Sequence, residues 1–265
     1  LSVVKKIMQD KGIDTKQYNP NAVLYYIGSA KNEFISPDEY KSYANSPFEE
    51  IVLTVYTEYQ KYLKAVGAMD FDDLLVLCLR LFEENAEVLE KYQNIFHYIL
   101  IDEYQDTNHV QYTWVKRLSE KHRNLCVVGD DSQSIYGFRG ENFRNILNFE
   151  RDYPGAKIIK LEQNYRSTKN ILRAADELIK CNKNKTEKSL WTDNPDGHPI
   201  QIYQALNEKD EAEFIATEVR GLVRAEKSKW GDFAVLYRTN AQSRAAEEAF
   251  LRYGIPYRVI GGIKF

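Results

Sequence analysis

The hydrophobic pattern changes period once along the chain, near residue 96. Upstream, apolar residues recur at steps of three and four, which places them on one face of a helix. Phe48, Ile51, Val52, Val55, Tyr56, Tyr59, Tyr62 and Leu63 follow this spacing, and Gly67 ends the run. Leu1, Val4, Ile7 and Met8 form a shorter stripe. Pro20 suits a first helical turn with Asn19 as the cap before it. A further helix is predicted from near Asp70, with Leu74, Leu75, Cys78, Leu81 and Phe82 inside it. From His97 onward, short apolar runs alternate with helical stretches. Strands are predicted at 97–101, 124–128, 157–162, 200–204, 232–237 and 257–260. Helices are predicted at 108–119, 141–150, 168–181, 208–225 and 240–253. That alternation predicts an α/β architecture with parallel sheets and crossover helices. The polar stretch from Asn182 to Gly197 reads as a surface connector.

Composition narrows the class. The chain has 265 residues, 43% hydrophobic and 28% charged, a globular balance of one large or two ordinary domains. The net charge of -3 provides no global basic field, so any nucleic-acid contact must come from a local patch. Cys78, Cys126 and Cys181 are far apart and form no C-x-x-C pair; they read as reduced core residues of an intracellular protein. His97, His109, His122 and His198 lack metal-ligand spacing. No apolar run reaches the roughly 18 residues that span a bilayer, and no signal peptide is evident. The chain opens on Leu1 inside a helical pattern and closes just after a strand-like run, which reads as an excerpt of a longer protein.

Four junctions carry candidate chemistry. The strand Ile99-Leu100-Ile101 runs into Asp102-Glu103-Tyr104-Gln105-Asp106. A strand delivering two acids to the carboxyl edge of a sheet suits one carboxylate on a metal and its neighbour taking a proton from water. The strand Leu125-Cys126-Val127-Val128 leads into a glycine-bearing loop, residues 129–140. There Gln133 is an amide able to bind a phosphate or a water, and Arg139 is a fixed positive charge. Tyr136 and Phe138 either stack on bases or cap the core. The run Glu162-Gln163-Asn164-Tyr165-Arg166-Ser167-Thr168 is a strand-to-helix junction that could bring Arg166 to a phosphate, or an ordinary turn with an exposed arginine. In Leu236-Tyr237-Arg238-Thr239-Asn240, the polar residues suit contacts to a phosphate backbone, or Thr239 and Asn240 simply cap the next helix. Lys180, Lys183, Lys185 and Lys188 read as a solvated surface run.

Taken together, these motifs in this order and spacing resemble the UvrD/PcrA/Rep group of superfamily 1 DNA helicases. The resemblance covers essentially the whole chain and includes Asp70-Phe71-Asp72-Asp73-Leu74. It implies RecA-like P-loop NTPase domains plus a helical inserted domain, with both RecA-like domains incomplete in this chain. Residues 1–66 would be the inserted helical domain, 67–160 the rest of the first motor domain and 161–265 the start of the second. It implies an ATP-driven, magnesium-dependent motor moving 3′ to 5′ on single-stranded DNA and opening duplex at junctions. Repair or replication proteins would be its partners, and the bacterial cytoplasm its location.

Carried over residue by residue, the resemblance makes Asp102 the magnesium carboxylate and Glu103 the base for the attacking water. Gln133 would sense the terminal phosphate, Tyr165 would lie against adenine, and Arg166 would be the arginine finger. Tyr136, Phe138, Arg139, Arg238 and Asn240 would touch DNA. Ser132 stands where relatives commonly carry an acid, and Phe138 where they often carry Trp. The pattern G-x-x-x-x-G-K-[ST] is absent from the chain, so the isolated segment is expected to bind ATP poorly and hydrolyse almost none. A helicase-nuclease subunit and a non-catalytic module keeping the fold are the alternatives.

Overall fold

The computed structural model describes residues 1–135, 144–182 and 188–260. Helices α1 (Ser2–Asp10), α2 (Pro20–Asn32), α3 (Pro37–Tyr40) and α4 (Pro47–Ala65) pack around one core. Val4, Met8, Val23, Ile27, Val52, Val55 and Tyr56 fill it. Each later helix of this set starts on a side-chain cap. The Asn19 carboxamide accepts from the Asn21 N–H, Ser36 shares a reciprocal box with Glu39, and Ser46 accepts from the Glu49 N–H. Each cap satisfies an amide that the first helical turn leaves unpaired, worth about 1 kcal/mol.

Helices α5 (Phe71–Glu84) and α6 (Ala86–Ile95) follow, with Asp70 and Asp73 forming the box that opens α5. The face α5 buries carries Asp73, Val76, Leu79 and Phe82, whereas Leu74 and Leu81 are exposed. The chain then enters β1 (Ile99–Ile101), crosses through α7 (His109–Ser119) and returns as β2 (Leu125–Val127). The two strands are parallel, with Ile99 opposite Leu125, Leu100 opposite Cys126 and Ile101 opposite Val127. Val76 and Leu79 of α5 pack with Val110 of α7. Short helices α8 (Arg144–Leu147) and α9 (Phe149–Asp152) come next, then α10 (Lys169–Lys180), α11 (Glu208–Arg224) and α12 (Ser243–Tyr253).

By contacts the chain divides into two compact units. One comprises residues 1–167 and 172–193, and the other 168–171 and 194–265. In the second, Ala212, Ala216 and Val219 of α11 pack against Ala249 of α12 and Ile255.

Several sequence expectations need correction. Among the described residues, 157–162, 200–204, 232–237 and 257–260 form no ladder; an isolated bridge joins Gln163 to Trp191. The reason is physical. An alternating run shows that one face is suited to burial, but a strand also needs a neighbour to pair its amides and carbonyls. Leu161, Ile202 and Leu236 are accordingly 77%, 95% and 93% exposed. Cys126 and Cys181 are free but exposed rather than in the core: Cys126 projects from the uncovered face of β2 beside Leu100, and Cys181 follows the end of α10. No helix among the described residues is long and apolar enough to cross a membrane.

Candidate nucleotide and metal site

The site grows from the carboxyl ends of β1 and β2. The ladder continues past both strands, since the Val128 N–H donates to the Ile101 carbonyl and the Tyr104 N–H to that of Val128. These bonds hold residues 102–106 against 128–133. Asp102 and Glu103 leave β1 as exposed carboxylates. Glu103 sits in the left-handed region, with φ 51 and ψ 44. For a residue with a side chain, that conformation costs about 1–2 kcal/mol and persists only where the surroundings hold it. The Glu103 N–H donates to Asp102 Oδ1 at 3.0 Å, and its carboxylate accepts from Gln105 Nε2 at 2.7 Å.

Gln105 is 1% exposed, and its other amide atom, Oε1, accepts the Asp130 N–H at 2.9 Å. The neighbour that makes room for this amide is Gly129. A Cβ there would stand 2.5 Å from Gln105 Oε1, 2.9 Å from Ile146 Cδ1 and 3.2 Å from the Tyr104 nitrogen. The turn after Glu103 is held by the Thr107 hydroxyl on the Tyr104 carbonyl, and Asn145 Nδ2 in turn donates to the Thr107 carbonyl.

Asp130 organises the second loop. Its carboxylate accepts the Ser132 N–H at 2.9 Å and Gln133 Nε2 at 2.9 Å, and it pairs with Lys188, 58 residues away in sequence. Lys188 also lies 3.7 Å from Asp131. Burial disfavours the charged carboxylate of Asp130, but the hydrogen bonds from Lys188, Gln133 and the Ser132 N–H outweigh it and hold its pKa below the ordinary value. Lys188, expected in a solvated basic run, is instead the counter-ion of this loop, with a side chain 22% exposed.

Tyr165 and Arg166 are exposed on a turn built by Asn164, whose Oδ1 accepts both the Arg166 and Ser167 N–H groups. The Tyr165 hydroxyl donates to Gln163 Oε1 at 2.7 Å. In the other unit, Arg238 and Asn240 are exposed at a short 3-10 turn, Asn240–Gln242, and the Thr239 N–H donates to Gln242 Oε1. Tyr136, Phe138 and Arg139 lie outside the described residues. The structure thus gathers Asp102, Glu103 and Gln133 at one strand edge, through Gln105 and Asp130. Sequence reasoning missed Gln105 and Lys188. Gln105 stands two residues after Glu103, where its side chain can reach back; nothing local marks Lys188.

For magnesium the donor set is suitable. Asp102 offers an exposed hard oxygen, and magnesium is commonly held by one or two carboxylates, with phosphate oxygens and water completing the shell. The described residues hold no group of three or more acidic, His or Cys side chains placed for a metal, as such a shared site requires none.

Residues 1–154 match the UvrD/REP helicase N-terminal domain, and residues 159–265 match the UvrD-like helicase C-terminal domain. The chain is 50% identical over 265 residues to the ATP-dependent DNA helicase PcrA of Bacillus subtilis. It is 51% identical over 264 residues to that of Staphylococcus epidermidis, and 50% identical over 264 residues to that of Staphylococcus aureus. All of this chain is covered in these matches, but it spans only 36% of each relative's length.

Proposed function

Because the chain belongs to the UvrD/REP helicase family, we propose that it is the segment of an ATP-dependent DNA helicase that carries the hydrolytic carboxylates. The activity for which these relatives are named motivates the reading. The observation that carries it is Glu103 itself, an exposed acid in a costly backbone conformation, gripped by a buried amide at a sheet's carboxyl edge.

In this reading Asp102 holds magnesium, which when bound neutralises charge on the nucleotide phosphates. Glu103 takes a proton from the attacking water, so its carboxylate must be ionised and fixed in direction. The bond from Gln105 supports the second condition, since a donor held on one oxygen limits the rotation of the carboxylate. Gln133 would meet the terminal phosphate, exchanging its bond to Asp130 for one to the nucleotide. Arg166 would place a positive charge on the same phosphate, and Tyr165 would lie against adenine. Tyr136, Phe138, Arg139, Arg238 and Asn240 would contact single-stranded DNA, through stacking and backbone contacts.

The separate core of α1–α4 supports reading residues 1–66 as an inserted helical domain. Residues 67–160 would then belong to the first RecA-like motor domain and 161–265 to the second, neither complete in this chain. Translocation 3′ to 5′ and unwinding at junctions, in repair or replication in the bacterial cytoplasm, complete the proposal.

The test is Glu103→Gln in the full-length protein. Turnover should fall by about 10²–10⁴, the range for a lost general base, with ATP and DNA binding retained. Unchanged turnover would overturn the assignment of the base.

A further inference from the structure

We infer that Gln105 is the positioning residue that fixes the direction of the Glu103 carboxylate and ties it to the loop bearing Gln133. The inference rests on the reading of Glu103 as the base and goes one step beyond it. Four observations carry it. Gln105 is 1% exposed, so its amide needs partners inside the protein. Its Nε2 donates to Glu103 Oε2 at 2.7 Å, and its Oε1 accepts the Asp130 N–H at 2.9 Å. Each half of the amide therefore has one partner, and turning it over would set oxygen against carboxylate and N–H against N–H. Gly129 is the third observation: any Cβ there would collide with Gln105 Oε1 at 2.5 Å. The fourth is the positive φ of Glu103, which needs local support of this kind.

The consequence is a continuous path. It runs from the Glu103 carboxylate through the Gln105 amide to the backbone of Asp130, and from the Asp130 carboxylate to Gln133 Nε2. A shift of the 129–133 loop is transmitted to the base by one rigid planar group. Gln105 needs no contact with nucleotide for this; it acts through Glu103.

Two replacements in the full-length protein separate positioning from simple packing. Gln105→Met keeps the volume and removes both bonds. Gln105→Glu keeps an acceptor for the Asp130 N–H but sets a second carboxylate against Glu103. Steady-state ATP hydrolysis at saturating single-stranded DNA is followed against ATP concentration, with nucleotide binding and thermal melting measured alongside. Gln105→Met should lower kcat by roughly tenfold to a hundredfold, the cost of a misplaced catalytic group, and leave the KM for ATP within about twofold. Gln105→Glu should lower kcat similarly, because the donor facing Glu103 is replaced by an acceptor.

Wild-type kcat in folded Gln105→Met or in folded Gln105→Glu overturns the inference. If the Glu variant does not fold, kcat of the Met variant decides alone. Glu103→Gln run in parallel tells the two failures apart. If it abolishes turnover while both Gln105 variants behave as wild type, the base stands and the positioning role falls. If Glu103→Gln itself turns over normally, the base assignment falls and takes the inference with it.

Discussion

Two clusters of charge in the first compact unit are built on opposite plans. In the helical region Lys31 is 1% exposed and lies 2.6 Å from Asp70 Oδ2 and 2.8 Å from Asp73 Oδ1. Its ammonium also sits 5.2 Å from the centre of the Tyr59 ring, and Gln60 Nε2 donates to Asp73. The two acids double as the cap of α5. At the strand edge, by contrast, Asp102 and Glu103 face solvent, and the buried partner, Gln105, is neutral. One cluster encloses its charges and satisfies them; the other buries the scaffold and leaves the charges outward. The first arrangement fixes where α5 begins. The second leaves its carboxylates accessible to a ligand, which a structural ion pair does not need.

The largest effect is expected from Lys31→Met. If Lys31 is the enclosed counter-ion described, its loss strands the buried Asp73 and the part-buried Asp70 carboxylates and should cost roughly 3–5 kcal/mol. Denaturant unfolding checks this, and a loss below about 1 kcal/mol, the level of an exposed pair, would show that water already screens the cluster. Adding Asp70→Asn and Asp73→Asn should recover part of the loss, because the stranded charge is then gone while asparagine still caps.

The same contrast explains what was legible in the sequence. Features set by neighbours in the chain could be read directly. Asn19 before Pro20 and the α5 helix opening near Asp70 follow from local capping. The delivery of Asp102 and Glu103 to an edge follows from three apolar β residues ahead of them. Features that depend on distant partners could not. Lys31 meets Asp70 across 39 residues, and Lys188 meets Asp130 across 58. The later apolar runs at 157–162, 200–204 and 232–237 have strand character, but strand formation depends on what lies beside them, and periodicity carries no information on that. Gln105 lies between these cases. Its spacing from Glu103 is local, yet its bond to Asp130 becomes visible only once β1 and β2 are paired.

A smaller effect is expected at the open cluster from Gly129→Ala. The added methyl must displace Gln105, Ile146 or the Tyr104 backbone, and overpacking of this kind costs roughly 1–3 kcal/mol. The effect should exceed a stability loss, because the group displaced holds Glu103. Turnover of the full-length variant should therefore fall further than its melting temperature explains. A stable variant with normal turnover would mean that the loop relaxes without moving the amide.

The smallest effect separates the two clusters by pH. Lys188→Met removes a counter-ion whose own side chain and that of Asp130 are 22% and 25% exposed, so about 1 kcal/mol is expected at neutral pH. Asp130 has a pKa below the ordinary carboxylate value in the folded protein, because donors including Lys188 favour its charged form. A depressed acid contributes stability that is present above its unfolded pKa, about 3.9, and is lost as pH falls through the lower folded value. The gap between wild type and Lys188→Met should thus be constant around neutrality and close in acid, as protonated Asp130 no longer needs the lysine. Unfolding of both proteins across that range tests the sign. A gap that widened on acidification would mean that Lys188 serves a group other than Asp130. A gap that persisted unchanged to the lowest pH would mean that packing of the lysine stem, rather than its charge, holds the 129–133 loop in place.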